Sequence, residues 1–122
     1  MAKLIAKPSE INAAGNIVKK IQEFVGKLNT QTDGVSIALM KSPSGWGEQG
    51  QTPEFDEYSL VLKGMLKVET KLGTIKVFAG QCASVSRGEW VKYSTPGPEG
   101  AEYLSVCVPA FSPQTVHRDK TN

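Results

Sequence analysis

Glu54–Gly64 reads EFDEYSLVLKG, a run that alternates with a period of two and closes on a glycine. That is the pattern of a β-strand, here Phe55–Lys63. The same pattern extends outward from Val35, with turn residues roughly every 8–12 positions. It predicts further strands near Val35–Lys41, Met65–Lys71, Thr74–Phe78, Cys82–Ser86, Trp90–Ser94 and Tyr103–Val108. Gly64, Gly73, Gly80, Gly88 and the Pro96-Gly97-Pro98 cluster punctuate them. Short strands with short links make antiparallel sheet, so the expected class is all-β, a sandwich or jelly-roll barrel. No segment of helical length separates the strands, which excludes a parallel α/β sheet. Ahead of them, Ser9 and Glu10 suit a helix start, and Ile17, Ile21, Phe24 and Val25 fall on one helical stripe ending at Gly26. A short N-terminal helical segment, weakened at Gly15, is therefore expected. The 122 residues form one domain. Residues 1–30 are read as an N-terminal strand or helical segment packed on the barrel, 31–112 as the barrel, and 113–122 as a tail frayed from Arg118. Ser42–Pro53, SPSGWGEQGQTP, is a long polar loop of the kind that carries function.

Composition narrows the function. Apolar residues make up 39% and charged residues 21%, an ordinary globular balance. A net charge of +2 is too weak a field to suggest nucleic acid or an anionic membrane as partner. No apolar run approaches the ~20 residues of a membrane span. Met1–Pro8, MAKLIAKP, has only Leu4-Ile5-Ala6 as an apolar stretch, short of the ~7–15 residues of a secretory signal, so a cytoplasmic location is expected. Cys82 and Cys107 lie in strand-like runs and read as two buried reduced thiols. No CxxC spacing marks a metal site.

The glycine spacing is the most specific feature. Gly45 is followed after five residues by Gln51-Thr52-Pro53, then Glu57 after three more and Gly64 after six more; later, Gly80 precedes Ser86-Arg87-Gly88 by five residues, with Val91 two further on. This register resembles the two motifs of the cupin superfamily over about residues 35–110, and implies a cupin-type antiparallel jelly-roll barrel. EFDEYSLVLKG with GEWVKYSTP is also similar to the cupins of ethanolamine utilisation. The family's metal positions, two His and a Glu from the first motif and a His from the second, fall on Gln51, Pro53, Glu57 and Val91, of which only Glu57 is a competent ligand. The expectation is no metal at the usual place and no cofactor. An alternative is a hard oxygen site built from Glu48, Glu54, Asp56 and Glu57. His117, the single histidine, lies in the tail with Asp119 beside it, and no GxSxG elbow accompanies the pair.

If Glu57 faces the interior, as the resemblance implies, alternation turns Ser59 and Val61 inward and Asp56 and Tyr58 outward. Val91 inward brings Tyr93 and Thr95 with it. On the last strand the parity is open; its more polar face, Tyr103, Ser105 and Cys107, is assigned to the cavity. The expected result is a mostly apolar cup with Glu57, Ser59, Tyr93 and Tyr103 converging. Glu57 and Tyr93 are the candidate catalytic pair, for proton transfer of isomerase or lyase type on a small polar metabolite. A desolvated carboxylate serves as acid or base near neutrality, and a tyrosine across the cavity stabilises an enolate oxygen. Gln51, Ser59, Val91, Tyr103, Trp46 and Cys107 are the candidate substrate-binding residues; Trp46 and Trp90 could stack on a ligand at the mouth, ordinary packing or interface surface being the favoured alternative for each. A non-catalytic, ligand-binding or accessory protein is the alternative, and a metalloenzyme with the acidic site is a second. The outward stripe Tyr58, Leu60 and Leu62 suits a homodimer.

Overall fold

A computed structural model describes residues 1–120, and within them it forms nine strands and no helix. The strands are β1 (Ser9–Ile11), β2 (Lys20–Val25), β3 (Ser36–Ser42), β4 (Trp46–Gly47), β5 (Asp56–Thr70), β6 (Gly73–Phe78), β7 (Cys82–Val85), β8 (Val91–Thr95) and β9 (Ala101–Val108). They pair antiparallel in the order β1-β2-β3-β9-β5-β8-β4, with β6 and β7 also bonded to β5. The expected N-terminal helix is absent: that stretch supplies β1 and β2 instead. Ile17, Val18, Ile21 and Val25 are β-branched and lose rotamer freedom in a helix. In the observed fold, β2 covers the edge of β3 from Lys20↔Lys41 to Val25↔Ile37. Tertiary pairing outweighs a helical stripe that fits both periods.

β5 is the axis of the molecule. Its first half, Asp56–Gly64, pairs with β9, and its last residues, Met65–Thr70, pair with β6 and β8. The strand expected to break at Gly64 instead bends there and passes from one side of a curled sheet to the other. Gly64 makes the bend with φ +76°, and a Cβ on it would lie 2.1 Å from the Gly100 carbonyl oxygen. Gly100 has φ +63°, and a Cβ on it would lie 2.1 Å from the Ser42 carbonyl oxygen. The concave side holds the core. Val61, Leu66, Val68 and Val91 are fully buried there with Trp46, and each such side chain contributes roughly 1.5–3 kcal/mol by leaving water.

Inward faces follow the alternation. On β8, Val91, Tyr93 and Thr95 are buried; on β9, Tyr103, Ser105 and Cys107 are buried. Tyr58, Leu60 and Leu62 point outward and are exposed. Cys82, expected buried, is exposed, because β7 alternates the other way and tucks Ala83 and Val85 inward. Part of the expected frayed tail is tied down: Asp119 N donates to the Gly50 carbonyl at 2.8 Å, and Arg118 bridges Gln51. Residues 121–122 of that tail lie outside the described residues. No helix among the described residues is long and apolar enough to cross a membrane.

The bend makes a direct prediction. Gly64→Ala and Gly100→Ala each lower the unfolding free energy by roughly 2–4 kcal/mol, since a Cβ meets backbone at a positive φ. Gly34→Ala, where an added Cβ meets nothing within 4 Å, stays within about 0.5 kcal/mol of the parent. Urea titration of the three variants checks this; equal stabilities would contradict it.

Candidate functional site

A hollow of about 70 Å³ lies inside the curl, room for a few waters or a small organic molecule. β3 and β9 form one wall with Ser36, Ala38, Met40, Tyr103, Ser105 and Cys107; Glu57 of β5 and Tyr93 of β8 close the far side. The remaining wall comes mostly from segments outside the two glycine motifs, with two residues of the first motif's loop. These are the Ile11–Ala14 loop, Lys19 at the start of β2, Glu48 and Gln51 of the long loop, and Phe111 and Arg118 near the C-terminus.

Glu57 sits where β5 is hydrogen-bonded on both edges, opposite Cys107 on β9 and Val85 on β7. Its backbone is therefore held, and its side chain reaches the hollow. The Ser105 hydroxyl donates to Oε2 at 2.6 Å and the Tyr93 hydroxyl donates to Oε1 at 3.3 Å. Burial pushes the Glu57 carboxyl above its usual range, with the Ser105 bond, the Lys19 charge and the Tyr93 bond opposing. Burial likewise lifts the Tyr93 and Tyr103 phenols well above 10, with the Glu57 charge adding to the effect on Tyr93. It also raises the Cys107 thiol, which stays protonated and inert.

Lys19 is the second unusual group. It is 7% exposed, its Nζ donates to the Tyr103 hydroxyl oxygen at 2.6 Å, and it lies 3.7 Å over the Trp46 ring. Burial lowers its ammonium to about 8, against the pull of the Glu48 and Glu57 carboxylates. Glu48, partly buried at the rim, is raised to about 7 by burial, opposed by Lys19 and Arg118. Two cations and three carboxylates therefore line a small volume, Glu23 being engaged by the Leu28 and Asn29 amides. Two further polar atoms at the wall, Gln51 Oε1 and Arg118 Nε, are buried with no hydrogen-bond partner. Unpartnered buried polar atoms are costly, and a bound polar ligand would satisfy them.

Of the residues singled out from sequence, Glu57, Tyr93, Gln51, Tyr103 and Cys107 line the hollow. Ser59, Val91 and Trp46 do not: they are packed in the core, 1%, 0% and 1% exposed. Ser59 and Val91 are turned inward but do not line the hollow; Val91 is part of the packed core. Trp46 is no mouth residue; its indole N–H donates to the Ala14 carbonyl at 3.1 Å and its ring carries Lys19. Trp90 donates to Asp119 Oδ2 at 2.9 Å. The wall is mostly apolar, but it also carries charged groups. Lys19 and Arg118 were missed as site residues because they lie in stretches read as helix and frayed tail, and Glu48 was considered only as a metal ligand. Only the long polar loop carried a signal, and it does deliver Glu48 and Gln51.

The metal positions of the resembled family do not fit a metal here. Pro53 and Val91 offer no donor, and Gln51 and Glu57 are one amide and one carboxylate. The alternative acidic set is dispersed. Asp56 pairs with Arg87 at 3.0 Å, Glu54 pairs with His117, and Glu48 and Glu57 belong to the hollow. Among the described residues, no group of three or more His, Cys, Asp or Glu side chains could hold an ion.

Comparison with known proteins places this architecture. No family profile matches the chain. It is 43% identical over 101 residues to the endoribonuclease YbeY of Myxococcus xanthus, a match that takes in 83% of this chain and 34% of that protein. The chain thus spans about a third of the length of the curated relative it matches. Among solved structures, the polyketide cyclase RemF from Streptomyces resistomycificus superposes with a TM-score of 0.77 at 17% identity, covering 100% of this chain and 88% of that one. A putative ethanolamine utilization protein Q from Salmonella typhimurium LT2 gives a TM-score of 0.65 at 17% identity, covering 86% and 98%. The fold is cupin-type. At these identities the likeness establishes architecture alone, and the site stands on its own geometry.

The shifted groups set the pH dependence of stability. An acid whose folded pKa lies above its unfolded value costs stability as pH rises from the lower value to the higher, because only the unfolded state sheds the proton freely. Glu48 acts this way from about 4.5 to about 7, and Glu57 acts in the same direction. A base whose folded pKa is depressed costs stability below that pKa, and the loss is recovered as pH rises to the unfolded value; for Lys19 this recovery runs from about 8 to 10.5. Together these groups put a stability minimum between about 7 and 8. Glu48→Gln is expected to gain about 1–2 kcal/mol on the parent between pH 4.5 and pH 7.5, part of the effect being screened by solvent. Denaturant unfolding of both proteins at the two pH values measures it; a difference that does not change with pH would contradict the assignment.

Proposed function

We propose that this chain is a metal-independent enzyme that moves a proton on a small polar metabolite held in the hollow, a reaction of isomerase or lyase type. The observation that carries this is Glu57: a desolvated carboxylate reaching the hollow, fixed by Ser105 and Tyr93. Fewer waters stabilise its anion, so it is a stronger base than a surface glutamate. Its two hydrogen bonds hold it in one orientation, so little reorganisation precedes proton transfer. Negative charge that develops on a substrate oxygen is met by the Lys19 and Arg118 cations and by the Tyr93 and Tyr103 hydroxyls. Gln51 Oε1 and Arg118 Nε are free to hold the substrate's polar groups. No activity is carried over from the Myxococcus protein, of which the chain spans only 34%.

Exchange of carbon-bound hydrogen with solvent tests the reading without knowledge of the product. Small hydroxy acids, keto acids and aldehydes are incubated with the protein in D2O and followed by NMR. One class is expected to incorporate deuterium at a single carbon. Glu57→Gln should slow this by roughly 10²–10⁴-fold while leaving ligand-induced thermal stabilisation in place. Tyr93→Phe should lower the rate less and keep the same site of exchange. A ligand that stabilises the protein with no exchange of any carbon-bound hydrogen would assign the cavity to binding alone.

We also infer a homodimer. Tyr58, Leu60 and Leu62 are 42%, 40% and 50% exposed. Val106 and Leu104 on β9 and Ile37 and Leu39 on β3 stand beside them in register, giving one apolar face across three strands. Light scattering should return twice the mass of one chain, and Leu60→Lys should return the mass of one; a single-chain mass for the parent would refute the dimer.

A further inference from the structure

We propose that Lys19 is a covalent catalytic amine that captures an aldehyde or ketone carbonyl in the hollow as an imine. The geometry points to it in three ways. Nζ lies at the wall of an enclosed hollow, on a side chain only 7% exposed. Among the described residues it has no carboxylate within ion-pairing distance; its contacts are the Tyr103 hydroxyl oxygen at 2.6 Å and the Trp46 ring at 3.7 Å. Its charge is favoured only by the Trp46 and Tyr103 rings and by the more distant Glu48 and Glu57 carboxylates, and burial outweighs them. Groups able to carry protons face it: the Tyr103 hydroxyl beside it, and Glu48 and Glu57 across the hollow, with Arg118 as the second cation. The ammonium is accordingly drawn down to about 8 by burial, so a usable fraction is the free amine near neutrality.

The chemistry balances without an oxidant or reductant. The amine lone pair forms a C–N bond to the carbonyl carbon as the C=O π pair moves onto oxygen, which takes a proton. Nitrogen gives up a proton, the carbinol oxygen takes a second one, and the C–O bond breaks to release one water and leave C=N. Glu48, raised to about 7, and Tyr103 are placed to exchange those protons. The protonated imine then withdraws electrons from the adjacent carbon, and the proton lost there goes to Glu57. Return of a proton to that carbon, followed by addition of one water, frees the product and the amine. Capture by Lys19 stands independently; the second half rests on the Glu57 reading above. On this account the imine supplies the electron sink that the displaced metal positions, Pro53 and Val91, have no donors to build.

Reductive trapping is the test. The 122-residue chain is incubated at pH 7 with glyoxylate or pyruvate and sodium cyanoborohydride, digested, and mapped by mass spectrometry. The expected result is an adduct on Lys19 at least about tenfold above that on any other lysine, with one adduct per intact chain. Adducts spread over surface lysines, with Lys19 no higher than Lys3 or Lys71, would overturn the proposal. Lys19→Arg should abolish the selective adduct; if that variant does not fold, the map of the parent decides alone. Glu57→Gln separates the two readings. Its Lys19 adduct should persist while deuterium exchange is lost. Glu57-dependent exchange in a protein whose Lys19 is not trapped would sink the imine and leave the proton transfer standing. A trapped Lys19 with no exchange in the parent would do the reverse.

Discussion

A carboxylate enclosed by protein has to be stabilised, neutralised or used, and the interior of this chain is arranged around that constraint. Glu57 accepts from Ser105 and Tyr93, and two cations, Lys19 and Arg118, approach the same hollow. Replacing water around a carboxylate with two hydroxyls and distant positive charge does not fully compensate its desolvation, and so its proton affinity rises. The same shortage of water depresses Lys19 and lifts Glu48. The members depend on one another: removing either sign leaves the other less compensated. A structure that needed only stability would be better served by apolar side chains of similar volume.

The fold exists to hold those groups together. β5 runs through both sides of the curl because Gly64 lets it bend, and that bend is what brings Tyr93 of β8 opposite the β9 wall that carries Ser105. The ends of the chain complete the enclosure. β2 is carried on β3 and ends the Lys19 side, with Asn16 pinning the preceding loop to Gly47, whose N–H it accepts at 2.9 Å. Gln51 bridges both Val91 and Arg118, so the long loop, β8 and the C-terminal segment share one anchor.

Much of this was legible in the residues, for definable reasons. Period-two alternation locates the main strands and, once Glu57 is turned inward, fixes the inward faces of β5 and β8. The spacing from Gly45 to Val91 is tied to local turn geometry, and so it registers the architecture even where the ligand residues it usually accompanies are gone. The N-terminal segment was not legible. Ile17, Ile21, Phe24 and Val25 fit a helical stripe, and only the open edge of β3, a partner far along the chain, settles the matter in favour of a strand. Lys19 and Arg118 carry no motif; a lysine among 14 basic residues is marked as special only by the enclosure it ends up in. Ser59 and Val91 illustrate the complementary error: alternation says which way a side chain points, and not whether a hollow or a packed neighbour meets it.

The most direct test of the account is the protonation of Glu57 itself. A 13C titration of the glutamate side-chain carboxyls, with the Glu57 resonance assigned by its loss in Glu57→Gln, reads that value without any ligand or substrate. A midpoint above the ordinary 4.5 is expected. A Glu57 carboxyl that titrates at or below that value would show it to be solvated or firmly ion-paired, and would contradict the hollow as a site of proton transfer.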